Sequence, residues 1–150
     1  MGKKTMINPG WEHYNRLTFA PAVHKGNMLF ISGLDGSQID TDTGKPTIRG
    51  DIVEQTKVIY EKLKVILGTA GASFDDVVWT TDYITTVENY RATAEVRRQY
   101  FGQSFPASTG IVVKGLLGKG ALIEIDAVAV LSYPGAYEIT ARRTARRGDY

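Results

Sequence analysis

The sequence predicts a single α+β domain, because strand-like and helix-like segments interleave in the order β-β-α-β-α-β-β and one of the helices is sharply amphipathic. Size agrees: 150 residues with 43% hydrophobic content bury one core and fall short of two. The domain is expected over residues 1–133. From Pro134 the composition changes and the chain ends Thr140-Ala-Arg-Arg-Thr-Ala-Arg-Arg-Gly-Asp-Tyr150, read as a solvated basic tail over 134–150.

Arg16–Ala20 and Asn27–Gly33 read as the first two strands, joined by the turn His24-Lys25-Gly26 in which glycine supplies a positive φ. Asp40-Thr-Asp-Thr-Gly-Lys45 is polar and turn-rich, as in a surface loop. Ile52, Thr56, Ile59, Leu63, Ile66 and Ala70 then recur at three- and four-residue steps while Glu54, Lys57, Glu61 and Lys64 face away, which is the pattern of a helix with one apolar face. Asp51 with Glu54 makes a capping box at its start, and Gly68 or Gly71 supplies the stop. A strand follows over Asp76–Thr85, a second helix over Val87–Phe101, and two strands near Ser108–Lys114 and Ala121–Leu131. Gly115–Gly120 lacks the Gly-Lys-Ser/Thr ending of a phosphate loop and reads as a hairpin connection.

Several function classes fall away on composition. There are 0 cysteines, which removes disulfides, thiolate metal sites and a cysteine nucleophile. His13 and His24 have no partners at metal-ligand spacing, so a metal is not expected. His24 is expected to be exposed in its turn. Net charge is only +2, with the positive excess near the ends, and no aromatic-basic platform suits a nucleic acid. No apolar run reaches the ~20 residues of a membrane span, and a cytoplasmic protein is expected.

Two helices on one face of a sheet leave the other face open, with Trp79 and Tyr83 on it. Such a face asks for a partner, and symmetric self-association supplies one. Glu124 and Asp126 alternate along a strand that is otherwise apolar, so Glu124 has two readings, a pocket acid or an intersubunit hydrogen bond. For Asp126 the intersubunit structural role is the favoured one. Arg97 shares a helical face with Tyr90, Ala94 and Phe101. Its guanidinium either reaches a ligand carboxylate or pairs with Asp82, which alternates with Val78 and Ile84 toward the helices.

Phe19-Ala-Pro-Ala-Val23 with Gly26-Asn27, Phe30-Ile-Ser-Gly33, Gln55, Phe105-Pro-Ala107 and Ile123-Glu-Ile-Asp-Ala-Val-Ala129, in this order, resemble the Rid (YjgF) family of imine/enamine deaminases over roughly residues 15–131. The resemblance implies a chorismate-mutase-like fold, a homotrimer with a central β-barrel, and small-molecule clefts between subunits. It implies hydrolysis of an imine or enamine to a carbonyl product and ammonia without metal or organic cofactor. Glu124 would be the catalytic acid–base residue, with Gly33 and Ala22 beside it. The family's carboxylate-binding arginine corresponds to Ser108, its tyrosine to Ala22 and its helix asparagine to Ala94. Ser108, Thr109 and Gly110 would then form a roomier, less cationic wall, with Arg97 as an alternative anchor. A substrate other than 2-aminoacrylate is expected, for example an aminomuconate-type enamine or another pathway intermediate. The competing readings are a trimeric small-molecule-binding protein without catalysis, and an RNA-acting translation inhibitor.

Overall fold

The computed structural model describes residues 2–132, so the basic C-terminal segment lies outside the described residues. Eight strands and two helices follow the chain as β1 (Thr5–Ile7), β2 (Ala22–Lys25), β3 (Met28–Asp35), β4 (Ser37–Ile39), β5 (Pro46–Ile48), α1 (Ile52–Thr69), β6 (Val77–Ile84), α2 (Thr93–Phe101), β7 (Ala107–Val112) and β8 (Ile123–Val130). Six of the strands form one sheet in the order β1-β2-β3-β8-β6-β7, and β4 and β5 make a separate hairpin. All pairings in the large sheet are antiparallel except β6 with β7.

The expected seven elements are present, with the short strands β1, β4 and β5 added. The first expected strand is displaced. Leu17–Phe19 carry strand-forming residues, yet the pairing starts at Ala22, after Pro21, which has no amide hydrogen to give a ladder. The turn is consequently later, at Gly26-Asn27, with Lys25 opposite Met28 and Gly26 at φ 61°, as a two-residue turn with glycine first requires. His24 is thus a strand residue sharing the parity of Ala22. It is 2% exposed, where the sequence reading expected solvent.

Helix α1 forms where its capping signals stand. The Asp51 carboxylate accepts from the Glu54 amide at 2.9 Å, and Glu54 accepts from the Asp51 amide at 2.8 Å. Its C-terminus closes with paired bonds from Ala72 N to Leu67 O and Gly71 N to Gly68 O, with Gly71 at φ 74°. Ile52, Ile59, Leu63, Ile66 and Leu67 are buried in one core with Leu29, Ile31 and Leu34 of β3 and Ile123, Ile125 and Ala127 of β8. Each fully buried Ile or Leu stabilises by about 1.5–3 kcal/mol, which anchors the helix across the sheet centre. The second helix is shorter than expected. Asn89 takes a left-handed conformation, φ 56°, and a 3₁₀ turn at Tyr90–Ala92 precedes Thr93.

Between Val77 and Trp79 the β6·β8 register shifts, so that Val77 and Thr80, rather than Val78, lie buried on the helix side. Asp82 and Ile84 keep their expected parity. Residues 113–122 are also not a hairpin loop: β6 lies between β7 and β8, and the segment crosses the end of the sheet. Gln55, buried in α1, pins that crossing. Its amide donates to Gly50 O and Gly120 O, both at 3.1 Å, and its carbonyl accepts from Leu122 N at 2.8 Å. Replacing Gln55 with Leu orphans these backbone groups and is expected to lower stability by about 1–3 kcal/mol in urea unfolding.

Candidate active site

Glu124 lies on β8 directly opposite Asp35 of β3 and Tyr83 of β6. The β3·β8 register shifts between Ile31 and Leu34, bringing Gly33 beneath the Glu124 carboxylate. A Cβ at Gly33 would collide with Glu124 Oε1 and come within 3.0 Å of its Cδ. Glycine is therefore there for space, and the carboxylate lies over the strand because of it. Gly118, in the crossing segment, plays the same part for Asp35, since a Cβ there would fall 2.7 Å from Oδ2.

These residues sit in a cleft of about 880 Å³ bounded by the N-terminal segment, the end of β3, the β4–β5 hairpin, α1 and the 113–122 crossing. The N-terminal wall is aromatic. Asn8 Oδ1 accepts from Gly10 N at 3.1 Å and Trp11 N at 2.7 Å, which turns the chain into a 3₁₀ segment at Glu12–Arg16. Trp11 and Tyr14 then stack at 5.9 Å between centroids, and Tyr14 meets Phe19 edge-on at 5.8 Å.

The two carboxyl groups are in unequal environments. Burial, the Asp35 charge and the Asp126 charge all push Glu124 above its ordinary value, with no hydrogen bond opposing them. Burial acts on Asp35 too, but hydrogen bonds from Ser37 and the Lys62 ammonium outweigh it and hold Asp35 below the usual range. Lys62 Nζ donates to Asp35 O at 2.8 Å, to Ser37 Oγ at 3.1 Å and to Asp35 Oδ1 at 3.4 Å. Tyr14 is raised by burial and by both carboxylates. A neighbouring pair pushed in opposite directions divides naturally into a fixed negative charge, Asp35, and a proton carrier, Glu124.

Glu124 and Gly33 thus meet in one cleft, while the other expected site residues stand elsewhere in the chain. Ala22 is buried in β2. Ser108, Thr109 and Gly110 lie on β7, the exposed edge of the sheet, where Ser108 Oγ accepts from Thr80 at 2.9 Å and a Cβ on Gly110 would come within 2.9 Å of the Tyr90 hydroxyl. Of the two readings of Arg97, the ion pair with Asp82 is the one found. Asp82 is 0% exposed and also accepts from Tyr90 at 2.7 Å. The Tyr83 hydroxyl donates to Asp126 at 3.0 Å, so Asp126 is occupied within its own chain. Sequence reasoning missed Asp35, Tyr14 and Lys62. The Asn8-Pro-Gly turn followed by Trp11, His13 and Tyr14 was the signal available for the aromatic wall.

Residues 13–131 match the family described as Endoribonuclease L-PSP. The chain belongs to the Rid (YjgF) family. A RutC family protein of Pyrococcus abyssi is 40% identical over 111 residues, 74% of this Rid chain and 84% of that one. The human 2-iminobutanoate/2-iminopropanoate deaminase is 33% identical over 112 residues, 75% of this chain and 79% of that one. Among solved structures, a Rid family protein of Yersinia pestis superposes with a TM-score of 0.73 at 29% identity, covering 86% of this chain and all of that one. A YjgF-family protein from Mycobacterium tuberculosis gives 0.71 at 31% identity, with 86% of this chain covered and 100% of that one. The Rid relationship agrees with the chorismate-mutase-like fold. Among the described residues no helix is long and apolar enough to cross a membrane.

Proposed function

We propose that this Rid-family protein is a cytoplasmic enzyme, a deaminase that hydrolyses an imine, enamine or related C=N substrate and releases ammonia, on a substrate other than 2-aminoacrylate. The observation that carries the reading is the divided carboxylate pair, with Glu124 lying over Gly33 and pushed above its ordinary value by burial, and Asp35 opposite it held below its own by Ser37 and Lys62. Water bound against Glu124 attacks the electrophilic carbon while the carboxylate takes its proton. The proton then passes to the nitrogen, the carboxylate carries the hydroxyl proton to the nitrogen in the same way as the C=O bond forms and the C–N bond breaks, and carbonyl and ammonia leave. Names of relatives support the same chemistry, since they include a human imine deaminase and a 3-aminoacrylate deaminase of Acinetobacter baylyi. Ammonia release from imines generated in situ by an oxidase tests it. Acceleration over spontaneous hydrolysis is expected, and saturable binding without acceleration would favour the non-catalytic alternative. An RNA-acting reading draws no support from this cleft, where carboxylates would face phosphates.

The working unit is a homotrimer of a domain spanning 1–133, closed into a barrel through the open sheet face. Phe30, Val128 and Trp79 lie side by side across β3, β8 and β6, with Phe30 46% and Trp79 41% exposed in one chain. A contiguous apolar row of this kind is covered in a stable assembly. Ser108, Thr109 and Gly110 on the β7 edge would complete a neighbour's cleft in that arrangement. Light scattering is expected to give three chains per particle for the wild type and a monomer mass for Phe30→Asp, which places a charge in the row. A wild-type monomer would remove the interfacial part of the account.

A further inference from the structure

The aromatic wall of the Glu124 cleft carries a hydroxyl that the fold fixes in place and leaves without a partner. Tyr14 belongs to the 3₁₀ segment Glu12–Arg16, where Tyr14 N donates to Trp11 O at 3.1 Å and Leu17 N to Tyr14 O at 3.0 Å. With three residues per turn, Trp11 and Tyr14 fall on one side and are half-buried, while Glu12 and His13 between them are exposed. Phe19 meets the Tyr14 ring edge-on, and the chain just after it is fastened to β3 beside Gly33. Ser32 Oγ donates to Ala20 O at 2.7 Å, and Ser32 N to Pro21 O at 2.9 Å. These ties hold the ring in the cleft that Gly33 and Glu124 line.

Among the described residues of that cleft, two carry hydroxyls, Tyr14 and Ser37. Ser37 is occupied: its Oγ accepts from Lys62 at 3.1 Å and its side chain bonds Asp35. The Tyr14 hydroxyl bonds to no described residue and is not sealed in the interior, so it opens on the cleft. Burial and the charges of Asp35 and Glu124 hold the phenol above its ordinary value, in the protonated form that donates a hydrogen bond.

Resting on the deaminase reading above, we propose that Tyr14 is a further catalytic residue of this site, its hydroxyl donating a hydrogen bond to the oxygen that water brings to the substrate carbon. Attack leaves that oxygen as the hydroxyl of a carbinolamine. As Glu124 draws off the hydroxyl proton and the C–N bond breaks, electron density gathers on the oxygen before the C=O bond is complete. A donor fixed beforehand stabilises that charge without having to reorganise. Glu124 moves the protons, whereas the Tyr14 O–H bond stays intact throughout. The role holds for substrates with or without a carboxylate, because the oxygen comes from water in both.

Tyr14→Phe removes the hydroxyl and keeps the ring against Trp11 and Phe19. The full-length protein is assayed for ammonia release from two imines made at neutral pH and mixed into the assay buffer: from phenylalanine by an amino-acid oxidase, and from phenethylamine by an amine oxidase. On whichever imine the wild type accelerates, Tyr14→Phe is expected to lose about 10²-fold in kcat with little change in KM, since the bond strengthens in the transition state. Melting temperature and mass by light scattering are expected to stay at wild-type values. A second readout is alkaline. A phenol raised above 10.0 donates until it ionises, so the wild type is expected to lose kcat along a limb above pH 10.0 that Tyr14→Phe lacks, while both keep the acidic limb of Glu124. A Tyr14→Phe variant with wild-type kcat, or a slower one that keeps the alkaline limb, would overturn the role of Tyr14 and leave the deaminase standing. No acceleration of either imine by the wild type would overturn the deaminase reading itself, and the inference with it.

Discussion

Glu124→Gln is expected to lower enzymatic ammonia release by about 10²–10⁴-fold, the usual contribution of a positioned general acid–base group, while leaving the fold intact. Glutamine keeps the shape over Gly33 but can neither take a proton from water nor return it to nitrogen. The effect should fall on kcat, because a group that acts in the transition state loses little ground-state binding when it is neutralised. Stability is expected to hold or rise slightly. The wild-type carboxylate is partly buried beside Asp35 and Asp126 with no hydrogen bond opposing them, so removing its charge relieves repulsion. Circular dichroism and thermal melts alongside the kinetics separate this outcome from misfolding.

Arg97→Met is expected to destabilise the protein by about 3–5 kcal/mol, because it strips the ion partner from a fully buried carboxylate. Burial pushes the Asp82 carboxyl upward, and the Arg97 guanidinium and the Tyr90 hydroxyl oppose that push. Without the guanidinium the carboxyl must either stay charged in the core or bind a proton, and both oppose folding. For a chain of this size the loss corresponds to a melting point lower by roughly 6–20 °C, compared at equal protein concentration. The double variant Asp82→Leu/Arg97→Met is expected to recover most of it, since an apolar pair leaves no uncompensated charge. A single variant that melts with the wild type would show that Tyr90 alone satisfies Asp82.

Helix α1 was legible in the sequence because its evidence is local: a capping box at Asp51 and Glu54, an apolar face at helical spacing, and Gly71 past the end. The placement of Glu124, an acid in a strand whose alternate residues are apolar and buried, was legible for a similar reason. What escaped depends on register between distant segments. The bulge at Val77 to Trp79 reversed the facing of Val78, and the turn at Gly26-Asn27 moved His24 from a loop into the core. Neither shift leaves a mark on residue spacing. Asp35 is the instructive omission in the site. Its importance comes only from standing opposite Glu124, which requires β8 to lie beside β3 although some 90 residues of chain separate them. Arg97 was read as a group needing a partner, with Asp82 and a ligand carboxylate as the alternatives, and the geometry supplies the ion pair with Asp82.

The central claim is that Glu124 is the proton carrier of a C=N hydrolase, and the pH dependence of kcat/KM for ammonia release, corrected for spontaneous hydrolysis, tests it most directly. Glu124 must be ionised to accept a proton from water, and its raised folded-state value moves that requirement above the ordinary 4.5 of a glutamate. The wild type is therefore predicted to lose activity on acidification through a limb lying above 4.5, and the small residual activity of Glu124→Gln is predicted to lack that limb. The same acidic limb in both proteins, or equal rates across the range, would contradict the account and assign the proton transfer to another group.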